Sequence, residues 1–392
     1  MFSLFIIVAI AFGLEVALEA TPLIALREAP SNCDGCHKGG RSQRPYIWRR
    51  CTLDCQGCHV DPSGAGARNE WGYYYSHDQQ AMINMISPID PMEDESFFDM
   101  HLDTRTTSVK QANTTKSFPM VLEATLRLKP FKDYLSLAYT SQLLGRTNDK
   151  LYRAVTTGDR RYREKYAVMI DALPLNTYVR AYRGIPMYGL RRPNHTLWIR
   201  ERIGLGPYAT VDAVQAGGTP NVPYWHYSNM QGNPYVEEPY RQKGTSYHGG
   251  MRGVTLGWHI NASGWDTKSE SHSVRMQAVG AGANVLDLLF YFEKNDRVVE
   301  VVDPFLSEID VTRLHPSNKI TEATVAYAGI LGVMFGGIWE TYDDSSRSSK
   351  RLNYFLDLHP FPNLQLEAWV RRETGERNYS DALFIAHLFF DF

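Results

Sequence analysis

From about Phe97 onward apolar and polar residues alternate one for one, and the alternation returns in segment after segment along the chain. In Met120–Lys129, Leu122, Ala124, Leu126 and Leu128 fall on one face and Glu123, Thr125, Arg127 and Lys129 on the other. After Pro130–Asp133 the pattern resumes with Leu135, Leu137 and Tyr139. Late in the chain Leu352, Tyr354, Leu356 and Leu358 alternate against Arg351, Asn353 and Asp357; a turn at His359–Pro362 leads to Leu364, Leu366, Ala368 and Val370 against Gln365, Glu367 and Arg371. Leu286, Leu288, Phe290 and Phe292 against Asp287 and Glu293 is a further case. A period of two marks a strand with one apolar face.

A soluble sandwich with one wet face also alternates in this way, so the choice rests on three further features. The segments run to about ten residues, enough for a tilted strand to cross a bilayer. Turns such as Lys129–Tyr134 are short, whereas Arg146–Glu164 and Asp296–Lys319 are long and polar, the asymmetry of bacterial barrels. Finally, Phe384, Ala386, Leu388, Phe390 and Phe392 share one face of the last segment, with His387 on the other, and resemble the closing strand of an outer-membrane barrel. The expected fold is therefore all-β: a transmembrane barrel of about 14–16 antiparallel strands over residues 96–392. Between Gly206 and Tyr240, where Pro, Gly and Asn crowd together, no strand can be placed.

Residues 21–95 lack any long period, and no regular helix is expected there. Phe2–Leu14 is an uncharged, mostly apolar run suited to a signal peptide over residues 1–20, ending at Ala20; an uncleaved anchor is the alternative, since no Lys or Arg precedes the run. No internal apolar run reaches the roughly eighteen residues of a spanning helix, which leaves a β-barrel open. A net charge of −2 gives no electrostatic case for nucleic acid. Aromatic residues make up 12% of the chain, with 23 tyrosines.

The chemistry sits in residues 21–95. Cys33-Asp34-Gly35-Cys36-His37 and Cys55-Gln56-Gly57-Cys58-His59 are both C-x-x-C-H, the pattern of covalent haem attachment, and take four of the five cysteines. Two thiols hold one haem and the adjacent imidazole reaches its iron, so His37 and His59 are the proximal ligands of two c-type haems. The four cysteines also fit a zinc ribbon, C-x2-C-x18-C-x2-C; a ribbon needs no histidine after each pair, and export favours haem. Two flat cofactors would supply a core that so short a segment lacks. In the glycine-rich stretch after His59, Arg68 is a candidate partner for a propionate. Candidate distal ligands are His77 and His101, with Met82, Met85, Met92 and Met100 as sulfur competitors. Cys51 has no assigned partner, and Arg41, Arg44, Arg49 and Arg50 with Tyr46 and Trp48 suit haem propionates or a cytochrome partner.

The stretch from Cys55 to Tyr75 resembles C-x-x-C-H-V-x-P-x-G-x-G-x-x-N-x-x-G, a motif at the N-terminus of bacterial porin-like proteins that carry haem motifs, and Pro186–Thr196 resembles a segment of those barrels. In layout the chain is similar to the fused porin-cytochromes of iron-oxidising bacteria, which usually carry one haem motif where this chain has two. The resemblance implies an electron conduit across the outer membrane, with the haem segment in the lumen or on the periplasmic side. It also implies periplasmic, and in some cases extracellular, cytochrome partners. Two alternatives stay open: a scaffold around a separate multihaem cytochrome, and a solute-conducting porin with a haem or zinc periplasmic domain. No nucleophile–base constellation is visible, so electron transfer, including oxidoreductase action on an extracellular metal, takes precedence over conventional catalysis.

Overall fold

The computed structural model describes residues 59–61, 67–83, 85, 96–131, 134–144, 163–190, 194, 196–206, 209–218, 223–253, 257–303, 316–375 and 378–391. The alternating segments form 16 strands: β1 (Phe98–Gln111), β2 (Thr114–Phe131), β3 (Leu135–Leu144), β4 (Lys165–Leu173), β5 (Thr177–Gly184), β6 (Val211–Gly218), β7 (Pro223–Gly232), β8 (Lys243–Gly253), β9 (Trp258–Lys268), β10 (His272–Val285), β11 (Leu288–Val301), β12 (Asn318–Ile330), β13 (Val333–Asp344), β14 (Ser348–Phe361), β15 (Leu364–Thr374) and β16 (Tyr379–Asp391). Each pairs antiparallel with its neighbours in sequence, and β1 pairs with β16, so the sheet closes with no free edge. The closing register sets His101 opposite Asp391 and Arg105 opposite His387.

The side-chain alternation sorts as the sequence implies. Phe290, Phe292, Val325, Tyr354, Leu356, Val370, Phe384 and Phe390 are exposed on the outside, while Glu123, Glu293, Glu340, Arg351, Glu367 and Arg371 are buried on the inside. An outward belt of large apolar side chains on a closed barrel is the surface that lipid covers. At one end, where β1 starts and β16 finishes, neighbouring strands are joined by tight turns such as 286–287, 331–332 and 362–363 (the turn end). At the other, the loop end, connections include 145–164, 185–210 and 302–317.

Three boundaries differ from expectation. β6 and β7 occupy the Gly- and Asn-rich stretch where no strand could be placed; their alternation is blurred because the inward face mixes small, polar and apolar residues, as in Ala213, Gln215, Gly217, Tyr224, His226 and Met230. β11 runs on to Val301 and β12 begins at Asn318, which shortens the long connection. Within 21–95, Glu70–Tyr75 forms a helix (α1), with the Asn69 side chain accepting the Gly72 N–H at 2.9 Å, and the chain continues in a wider π-type turn over Ser76–Gln80. An Asn cap is enough to start a helix too short to show a period.

Candidate functional site

Two chain segments lie against the inner wall of the barrel. The first is the connection 185–210. Its Ile185, Tyr188, Trp198, Ile203 and Leu205 pack against inward Trp265, Val274, Met276, Val299, Ile320 and Tyr342. Leu190, Leu197 and Ile199 pack on inward Leu289, Tyr291, Ile338, Phe355 and Ile385. Buried carboxylates fix its backbone. Glu293 accepts the Leu190 N–H at 2.5 Å, and Glu340 accepts the N–H of Trp198, the first residue of a single helical turn, α2 (Trp198–Glu201), at 2.5 Å. Arg351 bonds Glu340 at 2.7 Å and the Thr196 carbonyl at 2.9 Å. Gly189 sits at φ +56°, and a Cβ there would lie 2.6 Å from Glu293 Oε1, so glycine allows this close approach.

The second segment follows the Cys55–His59 motif. His59 pairs with Arg68 in an isolated antiparallel bridge, and the Val60 N–H bonds the Ala67 carbonyl at 3.0 Å. Asp61 reaches Arg180 on β5 at 2.9 Å, and Arg180 also donates to Gln215 at 2.7 Å. Val60, Asp61 and Ala67 border a cavity of about 60 Å³ whose far side is Glu123, Thr125, Lys165, Arg180 and Tyr182 of the wall. Arg68 pairs with Asp391 on β16, donates to the Pro362 carbonyl at 3.2 Å and lies 4.7 Å from the Phe389 ring centroid. Glu70 on α1 meets Lys129 at 2.6 Å and Arg127 at 3.2 Å on β2, and Asp99 on β1 meets the same two cations at 3.0 and 3.2 Å. Burial alone would raise the Glu70 carboxyl, but Arg127 and Lys129 outweigh it and hold it at about 2. The segment then meets β14: Gln80 bonds His359 at 2.9 Å, and the Met82 N–H donates to the His359 carbonyl at 2.8 Å. Asp391, Pro362, His359 and Asp99 all belong to the turn end, so the segment enters there and reaches up the lumen to Arg180.

Of the residues singled out in the sequence, Cys33, Cys36, His37, Cys51, Cys55, Cys58 and Met92 lie outside the described residues, as do Arg41, Arg44, Tyr46, Trp48, Arg49 and Arg50. His77 and His101 are linked through a run of contacts made by Tyr73, Arg68 and Asp391. The His77 ring packs on Tyr73 at 4.4 Å, and its Nδ1 faces the Tyr73 carbonyl at 3.1 Å; burial lowers its pKa, so the ring is neutral with the proton on Nδ1. Tyr73 lies 5.7 Å from the Arg68 guanidinium, and Arg68 shares Asp391 with His101 Nδ1. His101 is 9% exposed, and its Nε2 is buried with no hydrogen-bond partner among the described residues. An imidazole held at Nδ1 by a carboxylate or carbonyl, with its Nε2 lone pair turned inward, is the arrangement of a metal-ligating histidine. On this count His101 fits a haem iron, whereas for His77 only the Nδ1 side of the arrangement is on view.

The sulfur candidates fit it less well. Met100 points outward at 46% exposure, on the face opposite His101, and Met82 and Met85 are also exposed. Arg68, expected to meet a propionate, spends its Nη groups on Asp391 and Pro362 instead. His387, inward as expected, bonds Asp103 at 2.6 Å and Gln365 at 3.2 Å, so it serves the wall.

One cluster escaped sequence reading. On β5, β7, β8 and β9, Tyr178 bonds His226 at 2.7 Å and Tyr224 bonds His259 at 2.6 Å. The His226 and His248 rings stack at 6.0 Å, and Arg252 covers Tyr224 at 4.9 Å. The residues are far apart in sequence and become neighbours only through the strand register, in which His226 faces His248.

No protein-family model matches the chain, and no curated protein matches it by sequence. Solved structures do match its fold. A loop-L8 deletion mutant of OmpT, an outer membrane protein of Vibrio cholerae, superposes with a TM-score of 0.55 at 9% identity, covering 75% of this chain and 99% of that one. Salmonella typhi OmpF, in complex with daunomycin, gives 0.53 at 9% identity, covering 75% and 97%. The anion-selective porin from Comamonas acidovorans gives 0.50 at 8% identity, covering 75% and 98%. At such identities the likeness is one of fold: a 16-strand antiparallel barrel like that of outer-membrane porins.

Proposed function

We propose that the chain is an electron conduit of the bacterial outer membrane, with two c-type haems held in a porin-like barrel. They would be attached through Cys33 and Cys36, and through Cys55 and Cys58, with His37 and His59 as proximal ligands and His77 and His101 as distal candidates. The observation that carries this reading is the path of the chain after the second motif: from His59 it is pinned inside the wall by Asp61–Arg180, Arg68–Asp391 and Glu70–Lys129. A haem on Cys55 and Cys58 would thereby be delivered to the lumen.

The haem supplies reversible one-electron chemistry at its iron. The protein's own residues do the rest. Asp61, Arg68 and Glu70 fix the segment from the turn end, and the 185–210 connection, apolar beneath and clamped by Glu293 and Glu340, limits water from the loop end. His101, and His77 as the alternative, would offer Nε2 to the iron. The turn end would face the periplasm and accept a cytochrome partner, and the loop end would face an outside donor or acceptor, an extracellular metal included.

The porin fold itself favours a second reading, a solute channel, and the two segments in the lumen argue against it. Two measurements on protein purified from the outer membrane of a host that matures c-type cytochromes separate these readings. The conduit predicts covalent haem at two per chain on a haem-stained denaturing gel, and transfer of electrons from an external reductant to a dye enclosed in liposomes. Haem-free protein with large, steady conductance in planar bilayers would support the porin. Copurification of a large multihaem cytochrome without independent transfer would support a scaffold.

A further inference from the structure

We propose that His101 is the second axial ligand of the iron in the haem carried by Cys55, Cys58 and His59, aimed by Asp391 across the seam where the barrel closes. This rests on the haem reading above and makes it specific.

Three observations converge on it. His101 and Asp391 are register partners of β1 and β16, and the Asp391 carboxylate takes His101 Nδ1. Nδ1 therefore carries a proton, which in the neutral ring puts the lone pair on Nε2. That Nε2 is buried without a partner among the described residues, an unfavourable state unless something binds it. Arg68 supplies the third: it holds the same carboxylate and is the bridge partner of His59. The proximal histidine and the orphaned nitrogen are thus joined by three contacts, His59–Arg68, Arg68–Asp391 and Asp391–His101.

The competitors fit less well. Met100 points to the outside of the barrel, and Met82 and Met85 are exposed. His77 has its ring packed on Tyr73 and its Nδ1 within reach of the Ser76 hydroxyl as well as the Tyr73 carbonyl. Asp391 is a positioning residue. A carboxylate on the far nitrogen makes an imidazole a stronger donor and favours the ferric iron, and Arg68, by drawing on the same carboxylate, moderates that effect.

The test uses the full chain, matured with haem and extracted from outer membranes, read by visible and electron paramagnetic resonance spectra. In the parent protein both haems should be low-spin. His101→Ala should keep two covalent haems and turn one of them high-spin, and added imidazole should return it to low-spin. His101→Met, which keeps a ligand and most of the volume, should stay low-spin with a raised midpoint potential for that haem. Asp391→Asn should raise the same midpoint, and Asp391→Glu should restore it in part. In a chain with Cys55→Ser and Cys58→Ser, which retains only the first attachment site, His101→Ala should change nothing.

Two low-spin haems in His101→Ala, or an unshifted midpoint in His101→Met, would overturn the assignment and leave the conduit standing. A spectral change at the remaining haem of the cysteine variant would overturn the choice of haem. A parent protein without covalent haem would overturn the conduit and this inference together.

Discussion

Glu70→Gln is the sharpest probe of how the lumen segment is held. The Glu70 carboxylate is 2.6 Å from Lys129, whose side chain is buried, and 3.2 Å from Arg127. Its pKa of about 2 against an ordinary 4.5 corresponds to about 3 kcal/mol of preference for the charged form in place, at roughly 1.4 kcal/mol per unit. Asp99 stays behind to receive both cations, which keeps the loss below the larger cost of a stranded buried charge. If the other anchors act independently, removing this one should raise the population of released segment by up to roughly 150-fold. Because the folded pKa is lowered, the contribution is complete above about pH 4.5 and disappears as pH falls through about 2. Planar-bilayer recording gives the readout as the fraction of time spent in a high-conductance state. The parent should open progressively from pH 4.5 downward, and Glu70→Gln should already open at pH 7 and lose that pH dependence. An open fraction in Glu70→Gln within threefold of the parent at pH 7 would refute the anchor, as would an unchanged acid profile.

Other outcomes follow from the same geometry. Arg351→Met strands Glu340, which is fully buried and also holds the Trp198 N–H; chemical denaturation in vesicles should show a loss of about 3–5 kcal/mol. Gly189→Val puts a branched residue at φ +56° against Glu293, costing about 1–3 kcal/mol, and should appear as faster proteolysis of the 185–210 connection with the barrel intact. Val370→Arg places a charge on the outward face opposite Tyr354 and should destabilise the barrel in bilayers by about 2–4 kcal/mol at midplane depth, with much less effect in detergent.

Strand identity and facing were legible wherever outward leucines and aromatics alternated with inward charges, as in β2, β14 and β15. The rule weakened where the inside is not polar. Leu289, Ile320, Ile338 and Ile385 face inward and are buried because the 185–210 connection covers some of them, and a one-dimensional pattern does not show what covers a wall. His77 and His101 could be named from their nearness to the haem motif in sequence, but not the difference between them. That difference lies in Asp391, which the closing register brings to His101. The Tyr224–His226–His248–His259 cluster was illegible for the same reason: its members come from β7, β8 and β9, and only the sheet assembles them.

The contact between Arg68 and Asp391 spans 323 positions, and it carries an implication for biogenesis. β16 leaves the ribosome after β1–β15, and until it zips onto β1 Arg68 has no Asp391 carboxylate to grasp. The order of assembly is thereby constrained. On the haem reading proposed above, attachment beside His59 would belong to the stage when the precursor is still open, with the segment laid inside before the wall is sewn shut around it. Damage to β16 would then spoil the seam and loosen the lumen segment at Arg68 in one stroke, so closure of the wall and filling of the lumen depend on the same strand.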